Sequence, residues 1–234
     1  MNRDQVVNGI IRTWSVAEEL QLAETFSNAG PLPMNEEFRD LALSDDASYR
    51  ELYMCGLSLS HYNILLADYS FLQFSIDRPD YVRYAFYPNP FVAGREQDVE
   101  AFKRRRELVE AGMISHEEFL AIVDGHSRSS GVPMLRYENA PEQRVQFHHP
   151  CSHFHIGFHS DNRWPLNRIL TPLAFSLLVF KAYYGAPWSV FGAGDEREEV
   201  KNIYERMLID EKAECRLVEH DLFEGIEQRS FHFS

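Results

Sequence analysis

Apolar residues recur at helical spacing at the start of the chain. Val6, Val7, Ile10, Ile11, Trp14, Ala17 and Leu20 fall on one stripe. This predicts an amphipathic helix over roughly Gln5 to Ser27, broken by Gly30, Pro31 and Pro33. Residues Ser48 to Leu57 read as a short helix or turn. The pattern then switches to period two in "HYNILLADYSFLQFSID", which predicts a β-hairpin turning near Asp68 and Tyr69. "YVRYAFY" (81–87) reads as a further strand stopped by Pro88 and Pro90. A helical pair over 97–125 follows, its second member opened by Ser115 and Glu118 in a capping-box pattern. "GHSRSSG" (125–131) reads as a loop. Strand character returns in "PMLRYEN" and "CSHFHIGFH". "TPLAFSLLVFKAYYG" predicts a buried helix capped by Thr171, with Pro172 at its first position and Gly185 at its end. A charged helix capped by Asp195 comes next, and "ECRLVEH" and "RSFHFS" close the chain as candidate strands. The fold class is therefore α+β: one domain over 1–234, an antiparallel sheet packed by several helices, with the 97–125 pair inserted between strands.

Composition narrows the function classes. At 234 residues, 44% of them hydrophobic, the chain can fill a core. It has no apolar run long enough to span a bilayer and no signal-peptide pattern at its start, so it reads as cytoplasmic, with no membrane partner. Three scattered cysteines argue against a disulfide framework. The net charge of −13 disfavours a broad nucleic-acid-binding surface and favours a basic protein partner.

Five of the ten histidines lie between His148 and His159. If 152–159 is a strand, His153, His155 and His159 share a polar, wet face, while Phe154, Ile156 and Phe158 share the core face. Gly157 would leave a notch for a ligand. Neighbours on one strand face stand roughly 6.5–7 Å apart, close enough to converge on one ion or one phosphate. Three readings follow. His153 and His155 could ligate a divalent metal, with His159, His149, Asp161 or Glu138 as a third ligand. They could act as general base and acid at a phosphodiester held by Arg136 and Arg163, with Glu138 orienting a histidine. They could also be partly bonded histidines of an edge strand, with no function.

Other residues carry weaker signals. Arg136 and Glu138 could equally form an ion pair on a solvated face. Asp68 reads as a turn former. Gln73 needs a hydrogen-bond partner if it is buried. The basic run Lys103 to Arg106 sits among acids and reads as a solvated helix face. Cys151, beside the histidines, could form a Cys–His nucleophile pair.

The segments "LADYSFLQFS", "VRYAFYPNP", "LRYENAP", "HHPCSHFHIG" and "LTPLAFSLLVFKAYYG", in that order, resemble the bacterial family called domain of unknown function 2290 over roughly 50–185. More distantly, Asp68 with Ser70, Arg83 with Tyr84, "RYENAP" and His153, His155 with Gly157 are similar to TumE-like toxins of toxin–antitoxin pairs. Tyr69 and Glu138 depart from the toxin pattern. This resemblance implies a toxin- or defence-like role, a ribonuclease or other phosphodiesterase acting on RNA, and a partner or antitoxin encoded nearby.

Overall fold

The computed structural model describes residues 1–92, 96–126, 132–158, 162–195 and 197–231. The first helix, α1 (Arg3–Glu19), opens with a reciprocal cap between Asn2 and Gln5 and buries Val6, Ile10, Val16 and Ala17. It stops well before Ser27. Gln21 takes a left-handed backbone (φ 57°), and Ala23–Phe26 becomes β1. The expected longer helix is thus corrected. Its stop is made by a non-glycine residue in the αL region and by strand pairing, neither of which leaves a Gly or Pro signal.

Two helices follow, α2 (Glu36–Leu43), capped by Asn35, and α3 (Tyr49–Ser58), capped by Ser48 with Glu51. The hairpin of β2 (Ile64–Leu66) and β3 (Phe71–Arg78) turns where expected, with Asp68 accepting from the Ser70 amide and hydroxyl. Asp68 is therefore a turn former. β4 (Tyr81–Tyr87) matches its predicted span. The inserted pair is α4 (Glu96–Glu110) and α5 (His116–His126), with the predicted Ser115–Glu118 cap in place. Of the predicted 125–131 loop, 127–131 lies outside the described residues.

β5 (Leu135–Asn139), β6 (Ser152–Ile156) and the two-residue β7 (Trp164–Pro165) complete the sheet. Its seven strands are antiparallel and lie in the order β1-β2-β3-β4-β5-β6-β7, each beside its neighbour in sequence. The remaining helices are α6 (Pro172–Tyr183), α7 (Gly185–Phe191), α8 (Ile203–Glu214) and α9 (Gly225–Phe231). Four expectations are corrected here. Gly185 opens α7 instead of ending the helical run, and α8 is capped by Asn202, while the Asp195 side chain accepts from the Arg197 amide and its carbonyl from the Glu198 amide. "RSFHFS" falls on α9 up to Phe231, with 232–234 outside the described residues, and "ECRLVEH" contributes a single bridge, Arg168 to Leu217. Tertiary docking outweighs a period-two pattern over so few residues.

The sheet is covered on both faces. On one, Leu72, Phe74, Tyr84, Tyr137 and Phe154 pack against α1 and α6. Phe175 of α6 lies within 6.3 Å, ring to ring, of Phe74, Tyr84 and Phe154. α1 and α6 approach so closely that a Cβ on Gly9 would meet Pro172 at 2.7 Å. On the other face, Phe71, Ala85 and Tyr87 pack against Tyr53 of α3, Phe102 of α4 and Phe119 of α5. No described helix is long and apolar enough to cross a membrane.

Candidate metal centre

Register builds the site. Residues facing each other across an antiparallel pair share a face. Arg83 on β4 stands opposite Glu138 on β5, and Glu138 opposite His153 on β6. One step along, Arg136 stands opposite His155. A polar row therefore crosses three strands on the face where the apolar cover of α3–α5 gives out.

The expected wet face is instead closed. His153 is 0% and His155 4% exposed. Pattern reading treats imidazole as polar, yet its ring packs like an aromatic. The His153 and His155 rings meet edge to face at 4.7 Å, and His149 packs on His153 at 4.9 Å. Gly157 shapes the end of the strand. It has φ 94° and turns the chain, so Phe158 joins the second core beside Tyr49, away from Phe154.

His153 Nε2 and His155 Nε2 are 2.9 Å apart, a hydrogen bond with one ring donating and one accepting. Ligand atoms of Glu138, His153 and His155 all lie within 4.8 Å of one another. Glu138 Oε1 accepts from Arg83 Nε at 2.8 Å and stands 3.1 Å from Arg136 Nε. Burial works against ionisation of Glu138, but the charges of Arg136 and Arg83 prevail and hold its carboxyl down at about 2. Burial, reinforced by the neighbouring His155, pushes the His153 ring down to about 4. At neutral pH the pair is a carboxylate beside a neutral imidazole, the protonation that metal ligation requires. The Pro150 carbonyl lies beside His153 and favours a protonated ring, though no acceptor meets hydrogen-bond geometry at the buried His153 Nδ1.

The structure thus gathers four of the predicted residues: His153, His155, Glu138 and Arg136. Arg163 is half-buried, and its charge, after burial, helps to lower the His149 pKa. His159 and Asp161 lie outside the described residues. His148 is exposed. Cys151 donates to Asn139 Oδ1 at 3.5 Å, and burial pushes its thiol up to about 12, which leaves it no nucleophile. Gln73 donates to the His61 carbonyl. Lys103 is pinned to Glu24, and Arg106 stands 3.5 Å from Glu110.

Two groups escaped sequence reasoning. Arg83 was visible in "YVRYAFY" as the polar residue alternating with core ones, but its partner follows only from register. The other is a C-terminal anchor. Buried Glu227 of α9 accepts from Arg144 Nη2 at 2.8 Å and from the Phe147 amide at 3.2 Å. It fixes the turn that carries His148 and His149. Nothing in local sequence links these positions.

Two surface cavities lie elsewhere. One of about 820 Å³ is lined by Arg12, Arg206, Glu211 and their neighbours, and one of about 700 Å³ by Asp68, Phe86, Tyr183 and Tyr184. Neither is lined by a residue of the histidine group.

A family model described as an uncharacterised conserved protein (DUF2290) matches residues 24–233. The chain belongs to the DUF2290 family. Comparisons with curated proteins and with solved structures gave no match. The histidine group lies within the matched span.

Proposed function

We propose that this DUF2290 protein is a metal-dependent hydrolase of phosphodiesters whose ion is held by Glu138, His153 and His155. The observation that carries this reading is the convergence of one ionised carboxylate and two buried imidazoles within 4.8 Å. Such a 2-His-1-carboxylate set suits a divalent first-row ion, which would supply Lewis acidity and an activated water. The surrounding charge supports an anionic substrate. Arg83, Arg136 and Arg163 outnumber Glu138 here, although the whole chain carries −13. In this reading Arg136 and Arg163 bind the phosphate. Arg83 is 57% exposed and marks the side from which a substrate reaches the buried pair. RNA as the substrate, a toxin or defence setting and a partner encoded nearby rest on the toxin-like motif order alone.

A metal-free acid–base pair is the second reading, favoured by the direct contact of the two Nε2 atoms. At 2.9 Å they leave no room for a phosphate between them, so base and acid would have to act from one side. Protein purified without a metal-affinity column, then assayed for bound metal and for cleavage of RNA and of a generic phosphodiester, separates the two. The metal reading expects about one ion per chain and loss of cleavage on chelation, restored by the ion and absent in His153→Ala. Full activity in a metal-free preparation overturns it.

A further inference from the structure

We infer that His149 supplies a fourth protein ligand to this centre. The inference rests on the metal reading above and names a residue that the Glu138–His153–His155 group does not contain.

Val145 to His149 forms a tight hairpin. It is closed by backbone bonds from the Val145 amide to the His149 carbonyl at 2.9 Å and from the His149 amide to the Val145 carbonyl at 2.7 Å. At its tip Phe147 holds φ 63°, a left-handed conformation that a bulky residue adopts at a cost. The strain is opposed by Glu227, which accepts from the Phe147 amide, and by Arg144, which binds Glu224 and Glu227 through Nη2 and the Leu222 carbonyl through Nε. The chain thus holds a short, strained turn against α9, and the turn ends by laying one imidazole against His153.

That imidazole stands beside the group but outside its 4.8 Å set, so it would join an ion by a turn of its ring. The His149 ring packs on His153 at 4.9 Å and feels the charges of both Arg163 and Glu138. Its Nδ1 is buried and makes no hydrogen bond of good geometry, although the His149 and Pro150 carbonyls lie beside the ring. A buried ring nitrogen so placed is costly, and coordination would satisfy it. The spacing of the pair beneath also accommodates another ligand. Two nitrogens bound to a tetrahedral ion stand about 3.4 Å apart, and two cis nitrogens on a six-coordinate ion about 3.0 Å. The 2.9 Å between His153 Nε2 and His155 Nε2 matches the six-coordinate case. Three imidazoles and one carboxylate on such an ion leave two positions open for water and substrate. Ion entry replaces the hydrogen bond between the pair, so the ring that donated it shifts its proton to Nδ1.

The test is titration of the metal-stripped full-length protein with Co2+, followed by calorimetry and by the absorption spectrum of the bound ion. His149→Ala is expected to bind about tenfold more weakly or worse, since even partners one shell further out are worth that much. Its bound Co2+ should have an altered spectrum. His148→Ala, changed at the exposed neighbour, should match the parent in both. If His149→Ala does not fold, the same comparison is read on His149→Gln. Parent-like affinity and spectrum in the His149 variant, with binding lost in His153→Ala, would overturn the inference and leave the centre standing. A parent chain that binds no Co2+, Mn2+ or Zn2+ would overturn both.

Discussion

The two faces of the β5–β6 pair are built from alternate residues of the same two strands, yet they do different work. On one face Tyr137 and Phe154 join Tyr84 and Phe175 in a continuous aromatic core. On the other, Glu138, His153 and His155 form a closed polar group tied to Arg83 and Arg136. Both are buried. The first gains from area removed from water, with no direction required. The second gains only if every charge and ring nitrogen finds a partner, and His153 Nδ1 and His149 Nδ1 have none in hydrogen-bond geometry. A pleated strand therefore separates an apolar core from a buried polar group by a single residue step.

The largest expected effect breaks the comparison from the aromatic side. Phe175→Ala removes a fully buried ring that faces three others, and should cost about 3–5 kcal/mol in denaturant unfolding. Ion binding per folded molecule should be unchanged. If the variant keeps parent stability, that face is not the stability-bearing one.

The polar face should show itself through acid. His153 is held near 4, below its ordinary 6.5, so the folded chain resists a proton that the unfolded chain takes up. Stability is then lost as pH falls from 6.5 towards 4. Glu138 sits near 2, below its ordinary 4.5, and its contribution is lost between 4.5 and 2. Each step is of the order of 3 kcal/mol at most. Unfolding midpoints measured across this range should fall in two overlapping steps, and His153→Gln should shrink the upper one, leaving the smaller share of His149 and His61, whose ring pKa values burial also lowers. A profile that is flat between 6.5 and 4 would mean that His153 titrates as it does in water.

The smallest effect sharpens the boundary between the site and solvent. Arg83 is more than half exposed, so Arg83→Ala should lower stability by about 1 kcal/mol or less. Glu138 should keep a depressed pKa through the less exposed Arg136, and the lower acid step should move only slightly upward. Movement of that step back to 4.5 would make Arg83, not Arg136, the charge that governs Glu138.

Much of the sheet was legible because its punctuation is local. β4 lies between the Arg78–Asp80 turn and Pro88, and its alternation is clean, so its span follows from the sequence. β1 was absorbed into the preceding helix because Gln21 enters the left-handed region without a glycine to announce it. In the site, His153 and His155 were visible as a same-face pair, and Arg136 with Glu138 as another. Their meeting was not, because register across β5 and β6 depends on how the chain from Ala140 to Cys151 returns. Burial of the pair was also hidden, since the cover comes from a hairpin held by Glu227, far along the chain.

The chain leaves β4 near Phe86 and re-enters β5 at Leu135, and these two residues are paired neighbours in the sheet. Everything from Pro88 to Met134 is thus an excursion whose two ends are already joined. The entropy of closing such a loop grows only with the logarithm of its length. Its length can therefore change at small entropic cost to the strands that carry Arg83, Glu138 and the histidines. What ties the excursion down is its apolar side chains, Phe102 and Phe119 among them, buried in the second core.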